Sequence, residues 1–205
     1  MKIADITREL FGAPVYPGDP KPELESVQRI EDGDICNLSV LHACLHNGTH
    51  LDAPRHFLAD GDDAAQVPLD AVIGECSVVS WDGVLTGADA EQLQPSLRER
   101  VLFKGNVEIT ESAAFVLSDC QVRLVGVEGQ TVGNAAVHRQ LLGGDVFLLE
   151  GVDLHAVSDG VYFLFAAPLK IKDADGTPVR ALLLEKNKKI DFFEKNTCIL
   201  KKGVL

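Results

Sequence analysis

Apolar residues along this chain come in short runs rich in valine, isoleucine and phenylalanine, most of them bounded by glycine, aspartate or proline. Runs of that kind predict strands at residues 3–7, 36–50, 77–81, 101–103, 122–127, 146–150, 161–165 and 179–184. Helical signals stand out in fewer places. Residues 89–98 form one such stretch, divided at Pro95; residues 110–117 start on Thr110 as N-cap; residues 134–142 open on Asn134 and close on Gly143-Gly144. Many strands and few helices predict an α+β chain, layered β/β/α, in place of a regular βαβ alternation. No internal repeat or low-complexity linker interrupts the pattern.

One predicted strand ends in a dense group of polar side chains. His46-Asn47-Gly48-Thr49-His50-Leu51-Asp52-Ala53-Pro54-Arg55-His56 places three imidazoles and a carboxylate at even spacing within eleven residues. On extended backbone, side chains at i, i+2 and i+4 leave on one face, so His46, His50, Asp52 and His56 point the same way, as a metal site requires. Gly48, β-branched Thr49 and Pro54 disfavour a helix, and the segment reads as a strand running into a turn. At about 3.3 Å per residue, a flat strand would hold the Cα atoms of His46 and His50 roughly 13 Å apart, near the limit for two imidazoles on one ion. The strand must therefore bend, and Gly48 is placed to let it. Four such groups buried merely as core would need a partner for every polar atom. His42 shares the parity but lies too far along the strand to reach the ion, which favours a structural role.

A second group lies downstream. On a helix opening at Asn134, His138 is one turn in and shares a face with Leu141 and Leu142, toward the core. Glu150 ends the apolar run Val146-Phe147-Leu148-Leu149, and an acid at the close of a buried strand needs a cation. By itself this pair fits metal binding and a structural ion pair equally well. His155 reads as a loop residue. Asp19, after Pro17-Gly18, is most simply a turn former, in an entry segment able to bring it and Tyr16 toward a pocket. Asp60-Gly61-Asp62-Asp63 reads as a solvated loop without the ligand spacing of an EF-hand.

The run from His46 to His56 resembles, at every specified position, the signature H-x-G-T-H-x-D-x-P-x-H of the cyclase family of metal-dependent hydrolases, best known from bacterial kynurenine formamidases. Val15-Tyr16-Pro17-Gly18-Asp19-Pro20 is similar to that family's entry segment, in which an aromatic residue lies beside the substrate. Val137-His138-Arg139-Gln140-Leu141-Leu142, followed by Leu149-Glu150-Gly151-Val152-Asp153-Leu154, resembles its second metal block. The likeness extends over about the first 185 residues. It implies a swivelling, barrel-like β/β/α domain. It also implies that His46, His50 and Asp52 hold a first divalent ion, that Asp52 bridges to a second which His138 and Glu150 complete, and that Glu150 touches both. His56 is then the catalytic acid/base and Tyr16 a substrate-binding residue. An N/O-only ligand set suits zinc, or manganese after it, better than the soft ions that thiolates select. The implied reaction is hydrolysis of an amide-type carbonyl by a metal-activated water, with His56 passing a proton to the departing nitrogen.

The chain departs from the formamidases at the pocket wall. Their aromatic excursion after the strand that here reads Val101-Leu102-Phe103-Lys104-Gly105-Asn106 shrinks to a few residues without Trp or Tyr. Tyr16 stands where they tend to place tryptophan, and Val127-Glu128-Gly129-Gln130-Thr131 replaces their more usual Asp and Ser pattern. Aromatic walls recognise aromatic substrates, so three readings stay open. The first is an arylformamidase-like amidohydrolase; the second a hydrolase of a cyclic amide, imide or lactone of the isatin hydrolase kind; the third a non-catalytic metal-binding module.

Composition narrows the partners. The chain has 205 residues, 46% hydrophobic and 24% charged, which fits one domain over 1–205. A net charge of -12 argues against nucleic acid and anionic membranes and leaves a small-molecule substrate. No apolar run reaches the length of a bilayer span, and Asp5 interrupts any signal region, so a cytoplasmic protein is expected. Cys36, Cys44, Cys76, Cys120 and Cys198 are odd in number and lack a C-x-x-C pair, and they read as small buried hydrophobes without disulfides. Residues 186–205 hold six lysines and the run Ile190-Asp191-Phe192-Phe193, which reads as an arm covering a neighbouring subunit in a homo-oligomer, a dimer or higher.

Overall fold

The structure is a computed structural model that describes residues 2–185; the C-terminal arm expected at 186–205 lies outside the described residues. In chain order the strands are β1 (Ile3–Asp5), β2 (Glu23–Gln28), β3 (Leu38–His42), β4 (His50–Asp52), β5 (Ile73–Ser80), β6 (Gly83–Leu85), β7 (Arg100–Lys104), β8 (Val107–Ile109), β9 (Leu124–Val127), β10 (Phe147–Glu150), β11 (Gly160–Phe165), β12 (Gly176–Pro178) and β13 (Leu182–Leu184). The α-helices are α1 (Leu69–Val72), α2 (Gly87–Leu93), α3 (Glu111–Asp119) and α4 (Ala135–Gly143).

Nine strands form one mixed sheet in the order β1-β13-β11-β5-β7-β9-β10-β4-β12. Its centre, β5-β7-β9-β10, is parallel, and its flanks are antiparallel. Parallel neighbours need a crossover, and helices supply it, so βαβ units do occur in the middle of this α+β chain. Side chains of the central strands alternate between two faces. Val101, Phe103, Val125, Val127 and Leu148 pack against Ala113, Ala114 and Leu117 of α3 and Val137, Leu141 and Leu142 of α4. Leu102, Leu124 and Leu149 face the other way and join Ile6, Leu51, Leu164 and Leu183. Those last four belong to or adjoin strands at opposite ends of the sheet. They share one core because the sheet curls into a half-barrel around it.

Helix ends follow local chemistry. Thr110 Oγ1 accepts the Ala113 N–H at the start of α3, and Asn134 Oδ1 accepts from Ala136 and Val137 at the start of α4. The helix expected at 89–98 is two pieces, α2 and a 3₁₀ turn Gln94–Ser96, because Pro95 cannot donate into the α-helical ladder. The strand expected at 179–184 is shortened to β13, and a separate short strand, β12, precedes it.

The continuous strand expected at 36–50 is corrected too. β3 stops at His42, and residues 43–49 turn before β4 begins. Instead of crossing the sheet, β3 pairs only with β2, in a ribbon exposed along its whole length. Leu24 and Leu41 pair on one face of that ribbon, Val40 opposite Glu25 lies on the other, and Ile35 near its tip is fully exposed. Cysteine burial is mixed rather than uniform. Cys76 is buried and Cys36 exposed, with Cys44 and Cys120 between, and all four are free thiols.

Candidate metal centre

Two tight turns bring the centre together. Asn47 Oδ1 accepts the Cys44 N–H at 2.9 Å, the Asn47 N–H donates to the Cys44 carbonyl, and Gly48 takes the left-handed conformation (φ 66°). His46 therefore reaches the site from a loop and not from the same strand as His50. Strand parity brings together only His50 and Asp52, both on β4, while His56 comes from the 3₁₀ turn Pro54–His56 that follows. On the opposite turn Gly151 has φ 68°, and a Cβ there would fall 2.5 Å from the Gly48 carbonyl oxygen. The two glycines let the turns pack face to face, and Thr49 Oγ1 ties them by donating to the Gly151 carbonyl at 2.7 Å.

β4 lies between β10 and β12, with His50 opposite Glu150 and Asp52 opposite both Leu148 and Gly176. His50, Asp52, His138 and Glu150 are all buried. His50 Nε2 lies 3.3 Å from Glu150 Oε2 and 3.5 Å from Asp52 Oδ1. His138 Nε2 lies 3.3 Å from Glu150 Oε1 and 3.8 Å from Asp52 Oδ2, and His46 Nδ1 is 2.9 Å from Asp52 Oδ1. Ligand-type atoms of His50, Asp52 and Glu150 lie within 4.8 Å of one another, as do those of His46, Asp52 and His56. Asp52 belongs to both groups.

Hydrogen bonds on the far side of each ring aim the imidazoles. His50 Nδ1 lies 3.0 Å from the Gly48 carbonyl and His138 Nδ1 lies 2.9 Å from the Asn134 carbonyl. A carbonyl only accepts, so each Nδ1 carries a proton and each Nε2 is the nitrogen turned toward the carboxylates. Glu150 is fixed likewise, its Oε1 accepting the Val132 N–H at 2.7 Å. Asp52 Oδ2 is buried with no hydrogen-bond partner among the described residues. A carboxylate oxygen left so, amid imidazole nitrogens, fits a cation. The donors are all nitrogen and oxygen, which suits zinc or manganese.

Charge follows the same geometry. Burial opposes the charged form of His46, but hydrogen bonds and charges from Asp52 and then Asp175 carry its pKa up to about 9. His50 and His138 are also raised against burial, mainly by Glu150, with Asp52 adding to both. Burial would raise Glu150, yet His138 and His50 hold it well below the usual carboxylate range. His56 moves the other way. Burial outweighs Asp52 and Asp175 and holds it below 6.5.

A cavity of about 510 Å³ opens over this cluster, with His56 on its wall. Tyr16 lies on its rim, half exposed, beside Asp19. Phe57 stacks on His138 at 4.3 Å and meets the His56 ring edge-on at 4.5 Å. Gln130 and Thr131 supply polar wall. His42 and His155 lie elsewhere, exposed and paired with Glu25 and Asp153. Two lining residues escaped the reading of the sequence. Phe57 directly follows His56 and could have been found from that neighbourhood. Asp175 precedes Gly176 in what reads as an ordinary turn, yet its Oδ2 lies 3.0 Å from His46 Nε2 and 3.3 Å from His56 Nδ1.

Residues 4–117, which include the His46 to His56 segment, match the family model described as "Putative cyclase". This chain belongs to the cyclase family. It is 35% identical to the kynurenine formamidase of Erythrobacter litoralis, over 90% of this chain and 94% of that one. The corresponding figures for the kynurenine formamidase of Salinibacter ruber are 34%, 89% and 97%. A solved structure described as a potential metal-dependent hydrolase with cyclase activity superposes with a TM-score of 0.79 at 30% identity, covering 91% and 98% of the two chains. Isatin hydrolase A of Labrenzia aggregata, at 21% identity and TM-score 0.77 over 90% and 94%, shares the fold. The cyclase-family chain is a metal-dependent amidohydrolase, with its cavity over the histidine and carboxylate cluster.

Proposed function

We propose that this enzyme hydrolyses a linear N-formyl or related aryl amide, using two divalent ions, zinc or else manganese, held by His46, His50, Asp52, His138 and Glu150. The observation that carries this reading is the buried Asp52 oxygen, without a hydrogen-bond partner among the described residues, amid the donors of His46, His50, His138 and Glu150, which line the cavity. When bound, such ions supply Lewis acidity toward a carbonyl oxygen and toward water. The protein supplies the rest. Glu150 and Asp52 balance the cationic charge in a buried site. His56 is held neutral at pH 7 by burial, so it is ready to accept a proton and then deliver it to the departing nitrogen. Phe57 and Tyr16 offer flat apolar surface to an aryl group, and a small-molecule substrate fits the cavity volume.

The test is a substrate panel on zinc-loaded protein, containing N-formyl arylamines and cyclic amides such as isatin. Faster turnover of the linear formamides is expected. Preference for the cyclic amides would overturn the substrate assignment, and no turnover on any member at full metal occupancy would leave a metal-binding module without catalysis.

We infer as well that the working unit contains at least two copies. A two-stranded ribbon is marginal alone in water, and β2-β3 exposes Leu24, Leu41 and Ile35; a second copy of the chain would cover them. Light scattering on eluting protein is expected to give a dimer or higher, and Leu24→Ser with Leu41→Ser to weaken it; a monomer at micromolar concentration overturns the inference. The free thiols of Cys36, Cys44, Cys76 and Cys120 fit a reducing compartment such as the cytoplasm.

A further inference from the structure

We propose that Asp175 is a positioning residue that sets the ring orientation of both His46 and His56 through one carboxylate oxygen. The proposal rests on the reading of His56 as the proton carrier and gives that residue its orienting partner.

Asp175 is held from its backbone outward. Its carbonyl accepts the Ala53 N–H at 2.9 Å, next to Asp52 in the chain, and the following residue, Gly176, pairs with Asp52 across the sheet. A Cβ on Gly176 would fall 2.6 Å from His46 Cε1, so the backbone lies directly against that ring. From this position the side chain extends along the edges of two imidazoles. The His46 and His56 rings are stacked, with centroids 4.0 Å apart and planes at 26°. Near-parallel rings at that spacing present one nitrogen each to the same point, where Asp175 Oδ2 lies 3.0 Å from His46 Nε2 and 3.3 Å from His56 Nδ1.

A carboxylate oxygen has two lone pairs and only accepts, so it takes one N–H from each ring. His46 Nδ1 in turn lies 2.9 Å from Asp52 Oδ1, which likewise only accepts, so in the metal-free protein His46 donates from both ring nitrogens, one to each carboxylate. For His56 the contact with Asp175 leaves Nε2 as the nitrogen free to accept a proton. Among the described residues, Asp175 provides the hydrogen bond to His56 Nδ1. Asp175 also belongs to neither ligand cluster, and it approaches His46 from the nitrogen opposite Asp52. Its side chain is 45% exposed, so it meets the two rings from the solvent side of the site. A carboxylate that orients a metal-binding imidazole is a common outer partner of such sites. Here the same oxygen also orients the acid/base, so the alignment of one ring is tied to that of the other.

The experiment compares Asp175→Ala, Asp175→Asn, His56→Ala and the His56→Ala/Asp175→Ala double variant as zinc-loaded proteins, with formanilide as substrate. Asp175→Ala is expected to lower kcat about 10- to 100-fold, with KM within about twofold and zinc content unchanged. Asp175→Asn keeps the shape and presents only one carbonyl-type acceptor, so an intermediate loss is expected, and it serves if the alanine variant folds poorly. In the double variant the second substitution is expected to cost less than about twofold beyond His56→Ala, because a residue acting through His56 has nothing left to act on. Nitrogen-15 NMR of the imidazoles is the readout independent of turnover: His56 protonated on Nδ1 in the wild type, and shifted toward Nε2 in Asp175→Ala.

Wild-type kcat in both Asp175 variants, with His56→Ala inactive, overturns the proposal and leaves the catalytic reading intact. Full activity in His56→Ala overturns the reading of His56 as proton carrier, and with it the catalytic part of the proposal. An unchanged His56 tautomer in Asp175→Ala overturns the positioning itself. Loss of zinc on substitution would make Asp175 a ligand, and a rise in KM alone would make it a substrate contact; either result also overturns the proposal.

Discussion

Asp52→Asn tests the centre with the least change of shape. In the metal-free protein two effects oppose each other. The substitution weakens the hydrogen bond to His46 at 2.9 Å, a charge-assisted contact contributing about 1.5–3 kcal/mol. It also removes a buried charge whose Oδ2 has no partner among the described residues, a burden of about 1–3 kcal/mol. The two nearly cancel, so in chelator the variant is expected to unfold within about 1 kcal/mol of the wild type. Metal separates the two proteins. At a free ion concentration about 1,000-fold above Kd, binding stabilises the wild type by about 4 kcal/mol. For a chain of this size each kcal/mol moves Tm by about 2–4 °C, so zinc should raise Tm by about 8–16 °C. A neutral carboxamide cannot serve both ligand groups as a charged carboxylate does, and most of that rise should vanish in Asp52→Asn. The assay is calorimetry with chelator and with zinc, alongside metal content by mass spectrometry. If Asp52→Asn binds two ions per chain and gains the same Tm as the wild type, the argument from the partnerless oxygen is wrong.

Three further outcomes are expected. His56→Ala should keep its metal and lose turnover by about 10²–10⁴-fold, measured as zinc content and kcat; metal loss equal to that of Asp52→Ala would make His56 a ligand instead. Gly176→Ala places a Cβ 2.6 Å from His46 Cε1, so the ring must move; destabilisation of about 1–3 kcal/mol and weaker zinc binding are expected by urea titration and competition with a chelating dye, and an unchanged variant would refute the tight approach. In the metal-free protein the pKa of His46 is raised from 6.5 to about 9. Its contribution, up to about 3 kcal/mol, is therefore fully present below pH 6.5 and lost as pH rises through about 9. Urea midpoints in chelator should fall over that window, whereas zinc affinity should rise as the ligand loses its proton; a midpoint that climbs from pH 6.5 to 9 in chelator would contradict the assignment.

What the sequence revealed was local. Thr110 and Asn134 act within three residues of themselves, so both helix starts could be read directly. His46, His50, Asp52 and His56 stand close together in the chain, so their chemistry was visible although their backbone path was not. The bend depends on Asn47 reaching back to Cys44, a contact that strand periodicity does not encode. β2 was missed because Glu23-Leu24-Glu25-Ser26-Val27-Gln28 has no core face, and an alternation that buries nothing resembles a loop. Asp175 meets His46 across 129 residues and His56 across 119. No local pattern carries such a contact, and an Asp-Gly pair signals only a turn.

The placement of β4 also bears on how the protein is made. The strand carrying His50 and Asp52 finds both its neighbours far downstream, β10 about a hundred residues later and β12 further still. During synthesis the histidine-rich segment leaves the ribosome with neither pairing edge available, and closing loops of that length is slow. The proposed ligand set cannot assemble until translation has passed Glu150, nor β4 be flanked on both sides until it has passed Pro178. On the proposed assignment, metal loading follows the pairing of β4 with β10 and β12, and occupancy in the cell would report on that folding step as well as on metal supply.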